Sequence, residues 1–134
     1  MIGRLAGLIG ACLMTGVTMS GPAGAVPAEQ SEPIECHYTL SAPYVVDVNG
    51  TSMVTASLMP AKCPAAVPTS LEACLSIPGQ VGRCAESNGN VTAQVYLSPY
   101  VPGLTYTARG RGCAAVTTPP TSICSSVGPT SAVL

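Results

Sequence analysis

Val45-Val46-Asp47-Val48-Asn49-Gly50-Thr51-Ser52-Met53-Val54 places two strand-forming runs on either side of Asn49-Gly50. Both residues of that dipeptide tolerate positive φ, so it is the strongest short signal for a hairpin closed by two residues. Turn signals divide the chain downstream in the same way. Pro78-Gly79 separates Ala73-Cys74-Leu75-Ser76-Ile77 from Gln80-Val81-Gly82-Arg83-Cys84, and Asn88-Gly89 precedes Val91 to Leu97. From Cys36 onward no stretch keeps an amphipathic helical period for three turns, and Pro or Gly recurs about every ten residues. About seven strands are predicted, near 37 to 47, 51 to 59, 72 to 77, 80 to 86, 91 to 98, 104 to 112 and 123 to 133.

Alternation assigns their faces. Val54, Ala56 and Leu58 share one side, as do Val91, Ala93, Val95 and Leu97, and again Leu104, Tyr106 and Ala108. The opposite sides carry Thr55 and Ser57, Thr92 and Gln94, and Thr105, Thr107, Arg109 and Arg111. One dry and one wet side per strand predicts an all-β, two-sheet sandwich.

Composition agrees with one small exported domain. The 134 residues include 47% apolar and 8% charged side chains, which is too apolar and too weakly charged for a disordered chain. A net charge of −1 gives no basic footprint for nucleic acid. Residues 1–25 read as a secretory signal peptide: Arg4, an uncharged run from Leu5 to Met19, and Ala23-Gly24-Ala25 as the cleavage site. Ile9-Gly10-Ala11-Cys12 resembles a lipobox, which would make Cys12 a lipid anchor, but the apolar run before it is short. Cleavage after Ala25 leaves no membrane segment and predicts a secreted protein of the extracellular space or cell envelope. The mature chain keeps four cations against six carboxylates, a net charge of −2. Residues 26–35 hold three of those carboxylates and two prolines and read as a solvated, flexible tail, with a single domain over 36–134. Sparse Lys with abundant Ala, Pro, Thr, Val and Gly resembles the exported proteins of high-GC actinobacteria.

Loss of Cys12 leaves Cys36, Cys63, Cys74, Cys84, Cys113 and Cys124, an even set that predicts three disulfides. No C-x-x-C pair occurs and His37 is the single histidine, so the spacing does not suit a zinc site, and no metal or cofactor is expected. The halves of the chain show faint parallels. Leu40-Ser41-Ala42-Pro43-Tyr44-Val45 echoes Leu97-Ser98-Pro99-Tyr100-Val101, and each half contains two cysteines with ten residues between them. A true duplication would pair Cys63 with Cys74, Cys113 with Cys124 and Cys36 with Cys84. The rival scheme pairs Cys74 with Cys84 across a hairpin and Cys36 with Cys63. Both keep Cys113 with Cys124. A chain without Phe or Trp buries little area per residue, and each short-loop disulfide adds about 3 kcal/mol, so reduction is expected to unfold it.

The stretch Tyr100-Val101-Pro102-Gly103-Leu104-Thr105-Tyr106-Thr107-Ala108-Arg109 resembles the P-G-x-x-Y turn that enters strand F of fibronectin type III and related immunoglobulin-like domains. The resemblance implies an immunoglobulin-like sandwich in which Tyr106 is the corner residue, its ring packed and its hydroxyl bonded to upstream backbone. It implies no binding activity.

Chemistry-bearing residues are few. His37 and Asp47 are the only His and Asp, and no Ser has a nucleophile context around it. Asp47, Glu72 and Glu86 read as single charges on separate segments, which does not suit paired-carboxylate chemistry. A non-enzymatic protein is expected. Arg109 and Arg111 alternate with glycines and so project from one strand face beside Thr105 and Thr107, either as a surface that grips carboxylates or as charges guarding an edge. Asn49-Gly50-Thr51 and Asn90-Val91-Thr92 match the glycosylation pattern but coincide with turns. Two functional classes remain. One is a monomeric interaction module presenting loops to an unidentified protein or envelope component. The other is a protease inhibitor with a braced loop, either Ser76 to Arg83 or Thr117 to Ser122, the latter including Pro119, Pro120 and Thr121.

Overall fold

A computed structural model describes residues 35–134 of the protein. The expected signal peptide, Cys12 and nearly all of the expected tail lie outside the described residues. Eight strands follow: β1 (His37–Leu40), β2 (Tyr44–Val48), β3 (Thr51–Lys62), β4 (Val67–Ser76), β5 (Arg83–Asn88), β6 (Ala93–Leu97), β7 (Thr105–Thr117) and β8 (Pro120–Val133). There is no helix among the described residues.

The Asn49-Gly50 hairpin forms as read. Val48 pairs with Thr51, both turn residues take positive φ (51° and 82°), and the Gly50 N–H donates to Asp47 Oδ1 at 2.8 Å. The strand predicted over 37 to 47 is two strands, because Ser41-Ala42-Pro43 interrupts it and Pro43 has no N–H to give a ladder. Ser41 keeps the break attached to β3: its N–H donates to the Ser57 carbonyl and its Oγ accepts the Ser57 N–H, both at 2.9 Å. β1 and β2 therefore pair with opposite ends of β3, and β6 runs along the other side of β3. The second sheet has the order β5-β4-β7-β8. Several strands outrun their predicted bounds, notably β4, which begins at Val67, and the β7–β8 hairpin, which continues to a turn at Thr118-Pro119.

The inner faces of the two sheets meet as alternation predicts. Val54, Ala56 and Leu58 of β3, Leu71, Ala73 and Leu75 of β4, Ala93 and Val95 of β6, and Tyr106, Ala108 and Ala114 of β7 form the core. With no Phe or Trp to bury, small side chains let the sheets approach closely. Gly110 and Gly112 of β7 both face inward, where a Cβ at Gly110 would lie 2.7 Å from Leu58 Cδ1 and one at Gly112 would run into the Tyr38 ring. Two assignments change. Val91, placed on a core face, precedes β6 and is exposed. Thr55, placed on a wet face, points outward yet is 0% exposed. Its cross-strand neighbours on that face are Tyr44 and Tyr96, and its hydroxyl is satisfied by the Val95 carbonyl (2.9 Å) and Gln94 Nε2 (3.2 Å).

Tyr106 enters β7 with its ring turned into the core. It is 1% exposed, its hydroxyl accepts the Val101 N–H at 2.9 Å and donates to the Val101 carbonyl at 3.3 Å, and its ring packs near Tyr100.

Three disulfides form, Cys36–Cys63, Cys74–Cys84 and Cys113–Cys124. The duplication scheme with Cys63–Cys74 and Cys36–Cys84 is therefore overturned. Cys74–Cys84 and Cys113–Cys124 join directly opposed residues of adjacent strands, and Cys36–Cys63 joins the residues just beyond the end of the β1–β3 ladder. Three such bonds are those of a protein that folds in an oxidising compartment.

Candidate functional site

The outer face of the second sheet gathers most of the polar residues singled out above. β7 supplies Thr105, Thr107, Arg109 and Arg111 on alternate positions, opposite the inward Tyr106, Ala108, Gly110 and Gly112. The alternation with glycine thus has two consequences on one strand: the arginines project to solvent, and on the reverse side the glycines leave room for Leu58 and Tyr38. Strand register then sets the neighbours. Arg111 pairs with Glu72 of β4 on one side and Ser126 of β8 on the other, and Glu72 pairs in turn with Glu86 of β5. Arg109 pairs with Cys74, whose disulfide partner Cys84 completes that row. Thr107 and Ser131 join hydroxyls at 2.8 Å.

A shallow groove of about 300 Å³ opens along the first of these rows, lined by Ser70, Glu72, Glu86, Asn88 and Arg111. Glu72 and Glu86, read from sequence as isolated charges, are direct cross-strand neighbours. The signal lay in the hairpin: both stand seven residues from Gly79, just as Cys74 and Cys84 both stand five residues from it. A hairpin centred on Gly79 that joins the cysteines must also oppose the glutamates.

Both arginines are exposed. Among the described residues the one cation-type side chain within 4 Å of a carboxylate is His37, 3.9 Å from Glu35, so neither guanidinium lies within that distance of one. Their donors face solvent. The sheet beneath is cross-linked on both sides of the arginine row, by Cys74–Cys84 and Cys113–Cys124. Glu72, Cys74 and Cys84 place potential metal-ligating atoms within 4.8 Å of one another, but the two sulfurs are bonded to each other and offer no thiolate.

The remaining candidates are dispersed. Arg83 opens β5 opposite Leu75 and so belongs to the inward parity, away from Arg109 and Arg111. His37 begins β1 beside Glu35, and the Asp47 carboxylate is engaged with the Gly50 N–H. Of the two braced loops, the one between Cys74 and Cys84 turns at Ile77 to Gln80, where the Gln80 N–H donates to the Ile77 carbonyl at 3.2 Å, and leaves Val81 97% exposed. The other is a tight turn. Thr117 pairs with Pro120, so Pro119 alone of the three expected loop residues lies in the turn, while Pro120 and Thr121 belong to β8. Comparison with protein-family models, curated proteins and solved structures finds no match to this chain.

Proposed function

We propose that the protein is a secreted, non-enzymatic interaction module of immunoglobulin-like build that presents the Arg109–Arg111 face to an extracellular or envelope component. Two observations support the build. β4, β7 and β8 stand where strands C, F and G stand in immunoglobulin-like sandwiches, with β5 added at the C edge, and β1/β2, β3 and β6 correspond to A, B and E. The Tyr106 hydroxyl closes on upstream backbone at the entry to the strand that corresponds to F.

The observation that carries the function is the pair of solvent-facing guanidinium groups, without ion-pair partners among the described residues, on a strand flanked by disulfides. Arginine forks bind carboxylates bidentately, and a sheet ordered on folding loses little further entropy when a partner docks. Glu72 and Glu86 beside Arg111 favour a partner that offers a carboxylate next to a cation. The test compares oxidised wild type with Arg109→Ser/Arg111→Ser for binding to the envelope fraction of the producing cells at low and high salt. Salt-sensitive binding lost in the variant, at unchanged melting temperature, is expected. Equal binding by both proteins refutes the assignment.

A second reading rests on the loop braced by Cys74–Cys84. Val81 is bare there, and Gly82 approaches the Leu75 carbonyl so closely that a Cβ would lie 2.7 Å from it, which packs the loop against the end of β4. A protease inhibitor needs such a loop. Inhibition abolished by substituting Val81 or Arg83 would favour it over the module, and a blank protease panel removes it.

A further inference from the structure

β8 is a lateral edge of the second sheet, and its hydrogen bonds can be followed residue by residue. Opposed residues in an antiparallel ladder alternate between pairs that exchange hydrogen bonds, with Cα atoms about 5.5 Å apart, and pairs that do not, at about 4.5 Å. The Cys113 carbonyl accepts from Thr69 Oγ1 on the β4 side at 3.1 Å and so points away from β8, which, with the Cα separation of 4.0 Å, marks the Cys113–Cys124 pair as the second kind. It follows that Ile123, Ser125 and Val127 bond to β7, through Ala114, Gly112 and Gly110. Ser122, Cys124 and Ser126 then aim their N–H and C=O groups away from β7. All three are exposed, and among the described residues none has a backbone partner beyond the ladder.

Open edges of this kind are normally short, charged or bulged. The opposite edge, β5, follows that pattern, with six residues that include Arg83 and Glu86. β8 has 14 residues and no charge at all. Its register shift and Pro129 interrupt the C-terminal part, which leaves Pro120 to Val127 in regular register. A neutral edge whose free donors and acceptors are spaced every second residue is complementary to itself.

We propose that two copies of the chain pair antiparallel through β8, about a two-fold axis at Cys124. In that register Cys124 faces Cys124 of the second copy, and Ser122 faces Ser126. Each outward N–H meets an outward carbonyl, giving three bonded pairs with two bonds apiece. The side chains brought opposite one another are small and uncharged, so no like charges meet. The second sheet runs through both copies, and the two-fold contact closes on itself, so the assembly stops at a dimer. The pairing goes beyond the proposed ligand face and does not depend on it.

The test uses the oxidised, exported protein in sedimentation over about 1–500 µM, together with amide exchange followed by NMR. Expected is a concentration-dependent dimer in which the Ser122, Cys124 and Ser126 amides become protected, while Ile123 and Ser125 are protected at every concentration. Ser126→Pro removes an outward N–H that β7 does not use, so the fold should persist while the dimer weakens at least about tenfold. Ser122→Lys/Ser126→Lys should do the same by bringing charges together, and Glu86→Gln at the other edge should leave the dimer unchanged. A wild type that stays monomeric throughout overturns the proposal. So does a dimer equally tight in Ser126→Pro, or protection of the three amides in a monomer, which would place a segment of the same chain on this edge.

Discussion

Gly112→Ala should destabilise the domain through a single aromatic ring. A Cβ at Gly112 would lie 2.6 Å from Tyr38 Cδ1, with Cε1 and Cζ nearer still, closer than real Cβ atoms approach. The obstacle is the body of the ring, and Tyr38 cannot readily retreat. It is 8% exposed, and the strand that carries it is tied to the end of β3 by Cys36–Cys63. Overpacking of this kind costs about 1–3 kcal/mol, offset by about 0.4–1 kcal/mol from the reduced freedom of the unfolded chain. The net loss of about 1–2 kcal/mol corresponds to a melting temperature lower by about 5–15 °C for a domain of this size. Tyr38→Ala alone should cost about 3–5 kcal/mol. In that background the ring atoms nearest to a Cβ at position 112 are gone, and the same substitution should turn neutral or slightly stabilising. A coupling energy of about 2 kcal/mol results, well above the additivity error of about 0.5 kcal/mol. Urea denaturation of the four proteins, followed by circular dichroism with disulfides intact, measures it. An equal cost of Gly112→Ala in both backgrounds would refute the reasoning.

Tyr106→Phe keeps the buried ring and removes a hydroxyl that bonds twice to Val101. Val101 is exposed, so the loss should be about 1 kcal/mol, with faster amide exchange at Val101; an unchanged urea midpoint would show the hydroxyl to be idle. Among the described residues the Tyr38 hydroxyl has no hydrogen-bond partner, and burial raises its pKa above the ordinary value of 10.0. Because the folded pKa exceeds the unfolded one, this residue's contribution is complete below about pH 10 and fades as pH rises from there towards the folded value, where only the unfolded chain ionises. Tyr38→Phe should be neutral or up to about 1 kcal/mol more stable at pH 7 and should flatten that alkaline decline. Urea midpoints from neutral pH to about pH 11 test both outcomes, and a loss at pH 7 or an unaltered alkaline slope would contradict them.

Local features of the fold were legible because the chemistry that dictates them lies within a few residues. Asn49-Gly50 specified its turn whatever surrounds it, since two adjacent residues that accept positive φ suffice. Alternation put Val54, Ala56, Leu58, Tyr106 and Ala108 on core faces because the side-chain period of a strand is two. Arg109 and Arg111 were found together for the same reason. The two-residue resolution failed where strand bounds depend on neighbours: a proline at 43 ends a ladder, and β7 and β8 extend to Thr117 and Pro120 because each supplies the other's hydrogen bonds.

What the residues determined by themselves is the all-β class, the hairpins, the core side of Tyr106 and the Cys113–Cys124 bond, whose partners face each other across one turn. Tertiary structure alone decided that Cys36 reaches Cys63, that Thr55 is covered on an outward face, and that Gly110 and Gly112 receive Leu58 and Tyr38. It also decided that Glu86, Glu72, Arg111 and Ser126 form one row across four strands. Those outcomes depend on register between segments far apart in the chain, and a shift of one residue would send each side chain to the opposite face.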